Sequence, residues 1–171
     1  MPSISFQPSA DDLIDANRAF IAVTLKSRRM ARIYLIGAAI FGIGGAALLW
    51  SDRAIEPALG CLGAILYWTV LLAVGHGLNA LLLPRRTRRT FAQQKDLHGP
   101  VSIDWSEQGV AIQSARGSAR FAWEDFVRVV EGRRAILLFQ SDRLYNFIPK
   151  RTLTPDQAVQ IMAFARRAPA C

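Results

Sequence analysis

Histidine and cysteine are scarce in this 171-residue chain, which has only His76, His98, Cys61 and Cys171. Cys61 lies inside a long apolar run and Cys171 is the last residue. The two therefore fall on different parts of the structure, and no disulfide is expected. A metal centre needs ligands that converge at set spacings. Neither histidine has a cysteine or carboxylate so placed, which leaves no metal site to name. Nucleophile–base pairs are missing as well. Asp104 with Glu107, and Glu124 with Asp125, read as solvated carboxylates beside turns. Gly42, Gly44 and Gly45 fall within an apolar run, and Gly75-His76-Gly77 has no strand before it, so neither set forms a phosphate loop. No catalytic residue, metal or cofactor is assigned, and the chain is not expected to be an enzyme.

Charge is absent from two stretches. Residues 33–50 run 18 positions without a formal charge, residues 58–83 run 26, and seven residues separate them. Lipid offers no water to charged side chains, so the pattern predicts a two-helix transmembrane hairpin over 33–83, with spans at 33–50 and 58–83. At about 1.5 Å per residue the first covers about 27 Å and the second about 39 Å, so the second must tilt or extend beyond the bilayer. Tyr34 and Trp50 stand at the ends of the first span, where amphipathic rings favour the interface. Asp52, Arg53, Glu56 and Pro57 make the polar tip, and Pro84 is expected to close the second span. A signal peptide is disfavoured, because another span follows at once and Leu48-Leu49-Trp50 is a poor cleavage context.

Positive charge is concentrated on the flanks of this hairpin. Lys26, Arg28, Arg29 and Arg32 precede it, and Arg85, Arg86, Arg88 and Arg89 follow it. By the positive-inside rule, both termini are cytoplasmic and residues 51–57 face the other side. Beyond this topological role, Arg28, Arg29, Arg32, Arg85, Arg86, Arg88 and Arg89 are candidate contacts to lipid headgroups, each contributing about 1 kcal/mol toward an anionic leaflet. The net charge of +8 does not imply nucleic acid. The charges flank the spans, and no recognition motif accompanies them.

The rest divides into an N-terminal segment (1–32), a basic connector (84–98), whose residues 85–94 are expected to extend the helix near the headgroups, and a soluble domain (99–171). Residues 2–7 alternate and suit a short strand. Ser9 reads as a helix N-cap, with Asp11 and Asp12 in the first turn. Leu13, Ala16, Phe20 and Val23 follow at helical spacing, in a helix expected to run through 28–32 into the first span. From Gly99, short alternating runs at 101–105, 110–113, 119–123, 127–131 and 144–148 predict strands. Residues 135–139 are apolar throughout, so that strand should be central or buried on both faces. Six strands at this spacing mean an antiparallel barrel or sandwich. Thr154-Pro155-Asp156-Gln157 is a capping box with proline at the first helical position, opening a final helix to about Arg166. One helix after such a meander suits a plug for an open barrel end. The fold class is thus a membrane α-helical hairpin plus a cytoplasmic α+β domain. That domain is read as a pleckstrin-homology-like antiparallel β-barrel, capped by a C-terminal helix, with residues 4–6 able to supply a seventh strand. Phe121, Trp123, Leu137, Phe139 and Ile161 are the predicted core.

Trp123-Glu124-Asp125-Phe126-Val127-Arg128-Val129-Val130-Glu131, the apolar run at 135–139 and Phe147-Ile148-Pro149-Lys150-Arg151 together resemble the YcxB-like family, bacterial membrane proteins with a cytoplasmic C-terminal domain. The similarity covers about residues 101–165, and the order of parts agrees. The resemblance implies this architecture and a bacterial inner-membrane location. It implies no activity and no catalytic residues.

Three features remain. His76 and Asn79 are polar within a span. They read as structural, hydrogen-bonded within the hairpin or placed at the interface, with a functional role as the alternative. Small residues recur four apart, at Ala38, Gly42 and Ala46, at Gly60 and Ala64, and at Ala73 and Gly77. They allow close packing within the hairpin, against a membrane-protein partner or against a second copy. Arg133, Arg134, Lys150 and Arg151 fall on loops of the soluble domain and are its candidate interaction surface. The expected function is a non-enzymatic interaction module for protein or lipid headgroups. The alternative is an accessory or regulatory subunit of a larger membrane complex such as a transporter.

Overall fold

The computed structural model places the helix that Ser9 was expected to cap, α1, at Ala10–Leu25. It describes residues 2–48, 55–94, 98–115 and 117–167, with backbone only at Ile55 and Glu56. The expectations for Trp50, for the tip at Asp52, Arg53 and the Glu56 side chain, for the turn at Arg116 and for Cys171 lie outside the described residues. Ser9 starts α1 as its composition suggests: its hydroxyl accepts the Asp12 N–H at 3.1 Å, and the Asp12 carboxylate accepts the Ser9 N–H at 2.9 Å. This reciprocal cap satisfies donors that a helix start leaves bare.

The expected continuous run from α1 into the first span is corrected. The helix stops at Leu25, and α2 begins afresh at Arg28–Leu48. Ser27 is the cause: its hydroxyl accepts the Met30 N–H at 3.3 Å and so caps α2. Pro84 ends the apolar run but not the helix: α3 runs Ile55–Gln93 with Pro84 inside it, so the basic connector extends the helix as expected. Proline removes a single backbone donor, a loss that a long helix bonded on both sides can bridge.

The chain forms two compact units, residues 21–83 and residues 1–20 with 84–171. In the first, α2 and the apolar part of α3 are long and apolar enough to cross a membrane, and almost nothing in either apolar stretch is buried by protein. Their mutual contact runs through glycines. A side chain at Gly45 would strike the Gly60 carbonyl, and one at Gly37 would strike the Trp68 ring. Phe41 stacks on Trp68 with centroids 4.8 Å apart. Tyr34 and His76 share a hydrogen bond across the two helices, so the intrahelical polar group has its partner inside the hairpin.

The second unit is rich in sheet. Strands β1 (Ser3–Phe6), β2 (Val101–Trp105), β3 (Gly109–Ser114) and β4 (Gly117–Ala122) form an antiparallel sheet in that order. β1 pairs with β2 in the register Ser3↔Asp104 to Phe6↔Val101, so the hairpin is inserted between two adjacent strands. Strands β5 (Arg128–Glu131), β6 (Ala135–Phe139) and β7 (Tyr145–Pro149) form a second antiparallel sheet. Helix α4, Pro155–Arg167, follows the Thr154 cap, with Thr154 and Gln157 bonded reciprocally.

The closed barrel is corrected to two open sheets: among the described strands no ladder joins β4 to β5 or β7 to β1. A 3-10 turn at Trp123–Asp125 carries the chain from one sheet to the other, and the strand expected to reach Trp123 ends at Ala122. Trp123 and Phe126 are buried at this corner, beside Ile136, Leu138 and Ile148 from one sheet and Ile103, Trp105 and Val110 from the other. Side chains, rather than ladder bonds, hold the sheets together. Of the predicted core, Trp123, Leu137, Phe139 and Ile161 are buried, while Phe121 is half-buried at its edge.

β6 is buried along its whole length. Ile136 and Leu138 face the inter-sheet core, and Ala135, Leu137 and Phe139 face Ala16 and Phe20 of α1. That two-sided burial explains an uninterrupted apolar run, since alternation is needed only when one face meets water.

Candidate functional site

Arginine and lysine gather at one end of the three-stranded sheet because the β5–β6 turn and the residues after β7 are neighbours. Gly132 and Ala135 close the turn, with the Gly132 N–H donating to the Ala135 carbonyl at 2.8 Å, and Arg133 and Arg134 occupy its corners. Ala135 lies opposite Pro149 in the ladder, so Lys150 and Arg151 leave β7 beside that turn. The Lys150 N–H donates to the Arg134 carbonyl at 2.8 Å. All four predicted cations line one cleft of about 580 Å³.

Its opposite wall is the first turns of α1, which contribute Asp11, Asp12 and Asp15. Arg151 grips Asp12 at two points, Nε to Oδ1 at 2.7 Å and one terminal nitrogen to Oδ2 at 2.6 Å. The same nitrogen reaches the Gln7 carbonyl at 3.1 Å. Such paired donation is the strong form of a guanidinium–carboxylate contact. Burial alone would raise the Asp12 pKa. The hydrogen bonds from Arg151 and Ser9 outweigh it and hold the carboxyl below its ordinary value. The bond to Asp12 likewise raises the Arg151 pKa. Arg134 reaches Asp15 at 3.4 Å, and Lys150 pairs with Glu131.

Arg133 differs from the other three. It is exposed and has no hydrogen-bond or ion-pair partner among the described residues. Four cations against three carboxylates leave the cleft one positive charge in excess, carried at its rim by Arg133. The lining contains no histidine or cysteine. What the cleft offers is recognition of a charged surface through salt bridges and hydrogen bonds.

The flanking arginines lie elsewhere. Arg28, Arg29 and Arg32 are exposed at the start of α2, and Arg85, Arg86 and Arg89 are exposed on α3. None of the six side chains has a hydrogen-bond or ion-pair partner among the described residues. Arg88 is bound to Asp11 at 3.2 Å. Among the described residues, no group of three or more His, Cys, Asp or Glu could hold a metal ion.

Sequence reasoning did not name Asp11, Asp12 and Asp15 as part of this surface. The capping pattern at Ser9 and Asp12 was visible, but it explains only local bonds. Arg151 lies 139 positions away, and nothing in a single sequence pairs them.

The family model for YcxB-like protein matches residues 105–165, from the end of β2 to the last turn of α4, and the resemblance holds over that segment. No curated protein and no solved structure matches the chain. The matched segment contains all four cleft cations, whereas the carboxylates that face them come from the N-terminal residues outside it.

Proposed function

We propose that this chain is a non-enzymatic protein of the bacterial inner membrane, with both termini cytoplasmic, whose sheet-rich domain is a docking module for a protein partner. Two open sheets of four and three strands, with a helix across one end, support the pleckstrin-homology-like reading. The observation that carries the function is the place of the cleft. The chain leaves the sheet unit after Phe20 and re-enters it at Pro84. Phe20 stacks on Tyr145 at 5.2 Å, at the start of β7, and the cleft lies at the end of β7. A five-residue strand puts about 13 Å between those points. The cleft cations thus lie away from the chain's exits toward the spans. They also alternate with carboxylates, which suits a mixed-charge protein surface better than a uniformly anionic one.

The full chain, purified in mild detergent, tests this. Proteins that co-purify with it should be lost on Arg133→Glu, which breaks no internal bond, and kept on Val159→Glu. Identical partners for both variants would refute the cleft as the docking surface.

A second reading, an accessory subunit of a larger membrane complex, rests on Gly63, Gly75 and Gly77. They lie within α3, and nothing stands within 4 Å of where a side chain would begin. Glycine weakens a helix by about 1 kcal/mol relative to alanine, and open glycines let another backbone approach closely. Intermembrane-helix crosslinks from cysteines placed at these positions would favour this reading, and their absence would count against it.

A further inference from the structure

At the opposite end from the cleft, the three-stranded sheet finishes in the row Arg128↔Phe139↔Tyr145. The residues just beyond that row on the outer strands are Val127 and Leu144, each 60% exposed. Among the described residues of the sheet unit, the other large apolar side chain so exposed is Val159 on α4. Exposed aliphatic groups scattered singly need no explanation; these two flank one sheet end, with arginines beside them. Arg128 lies over the Phe139 ring at 4.2 Å. Arg143 sits next to Leu144 on the β6–β7 loop, where Asp142 is the acidic residue.

This end is also where the chain leaves for the apolar helices. The Phe20 ring packs on Phe139 and Tyr145, at 6.0 and 5.2 Å. The Tyr145 hydroxyl donates to Asn17 at 2.7 Å, and Asn17 donates to the buried Thr87 hydroxyl at 3.2 Å. Thr87 is one helical turn from Pro84, where the last apolar run has just ended. Both exits of the chain from this unit, at Phe20 and Pro84, therefore lie at this end, and Arg85, Arg86 and Arg89 are on the turns of α3 that follow Pro84.

We propose that the sheet end carrying Val127, Arg128, Arg143 and Leu144 is a bilayer-contact surface that takes an anionic phospholipid membrane. The two aliphatic groups enter the headgroup layer, and the guanidinium groups meet phosphates. The assignment rests on reading α2 and α3 as membrane spans. The surface itself is distinct from the cleft.

The test uses the full chain with Cys61→Ala and Cys171→Ser, carrying one nitroxide label in place of a cysteine at Leu144→Cys or Val127→Cys. Arg133→Cys in the cleft and Ile43→Cys in the first span serve as references. Each protein is placed in nanodiscs of phosphatidylcholine, with or without phosphatidylglycerol. Collision with dissolved oxygen and with a water-soluble nickel chelate then reports depth. Labels at 127 and 144 should meet nickel severalfold less often, relative to oxygen, than the label at 133, and the difference should grow with phosphatidylglycerol. Nickel access equal to that at 133 overturns the proposal. Shielding from both reagents would mark a protein contact and also overturns it. Immersion that ignores phosphatidylglycerol overturns the anionic assignment. A water-exposed label at 43 would overturn the spanning reading itself, and this proposal with it.

Discussion

Leucine and isoleucine behave oppositely in the two units. Leu35 and Ile43 of α2 are 71% and 72% exposed, while Leu137 and Leu138 of β6 are fully buried. Their chemistry is the same, so the difference lies in the solvent each surface is built to meet. In the sheet unit, apolar groups fold inward and water is the excluded phase. In the hairpin they point outward, and the inward contact falls to glycines such as Gly42 and Gly45. Cohesion there comes from close backbone approach, because lipid is as apolar as the side chains themselves.

The strongest way to probe this difference is to remove what the sheet unit borrows from before the hairpin. A fragment of residues 98–167 keeps the family-matched segment but loses β1 and α1. It leaves the β2 edge unpaired and uncovers Leu137 and Phe139, which cost roughly 1.5–3 kcal/mol each when exposed. We expect this fragment to aggregate or to lose its near-ultraviolet circular dichroism, while the full chain in detergent keeps it. A monomeric fragment with a native-like near-ultraviolet spectrum would show that the matched segment is self-sufficient.

Single side chains sharpen the same contrast. Trp123 is buried, and its indole N–H donates to the Ser106 carbonyl at 2.8 Å. Trp123→Ala should cost about 3–5 kcal/mol in denaturant unfolding of the detergent-solubilised chain. Ile43→Ala removes an aliphatic group that already faces the apolar phase, and its effect should fall within about 0.5 kcal/mol. Comparable losses at the two sites would mean that Ile43 packs against protein in solution.

These contrasts also show how much the sequence could convey. The spans, the caps at Ser9 and Thr154, and the two-sided burial of β6 were legible because each depends on neighbours within one or two turns or strands. The break at Ser27 was not, because one hydroxyl decides it inside an otherwise continuous helical pattern. The pairing of β1 with β2 could only be raised as an option, since about a hundred residues separate Ser3 from Asp104. Strand spacing left barrel and sandwich open, and the corner at Trp123 and Phe126 decides between them. The four cations of the cleft could be picked out singly as loop residues. Their assembly with Asp12 and Asp15 is a tertiary fact.

The Asp12–Arg151 contact is the sheet unit's principal ion pair with a buried member, Asp12 being 7% exposed and Arg151 half in solvent. Because Arg151 is hydrated, Asp12→Asn should cost about 1–3 kcal/mol at neutral pH. The folded carboxyl has a lowered pKa. Its contribution is therefore fully present above the unfolded value of about 3.9 and fades as pH falls through the lower folded value. The stability difference between wild type and Asp12→Asn should hold from neutral pH down to about pH 5 and shrink in stronger acid. A difference that instead grows on acidification would contradict the depressed pKa.

The hairpin's counterpart is the bond between Tyr34 and His76. An apolar phase suggests that such a bond should be worth more than one in water, since neither group can turn to solvent. Against this, helices separated within a membrane still find other partners, and measured values average about 0.6 kcal/mol. The bond also ties α2 to α3 where glycine contacts already hold them, at Gly37, Gly42 and Gly45. Tyr34→Phe keeps the ring and removes only the hydroxyl, so it leaves His76 without its partner while disturbing little packing. The expected loss is about 0.5–1 kcal/mol, smaller than that for Asp12→Asn, measured by unfolding of the full chain in mild detergent. His76→Ala should likewise leave membrane insertion intact. A loss for Tyr34→Phe exceeding that for Asp12→Asn would reverse the ranking. It would make directed polar bonding, rather than close glycine packing, the main cohesion of the hairpin.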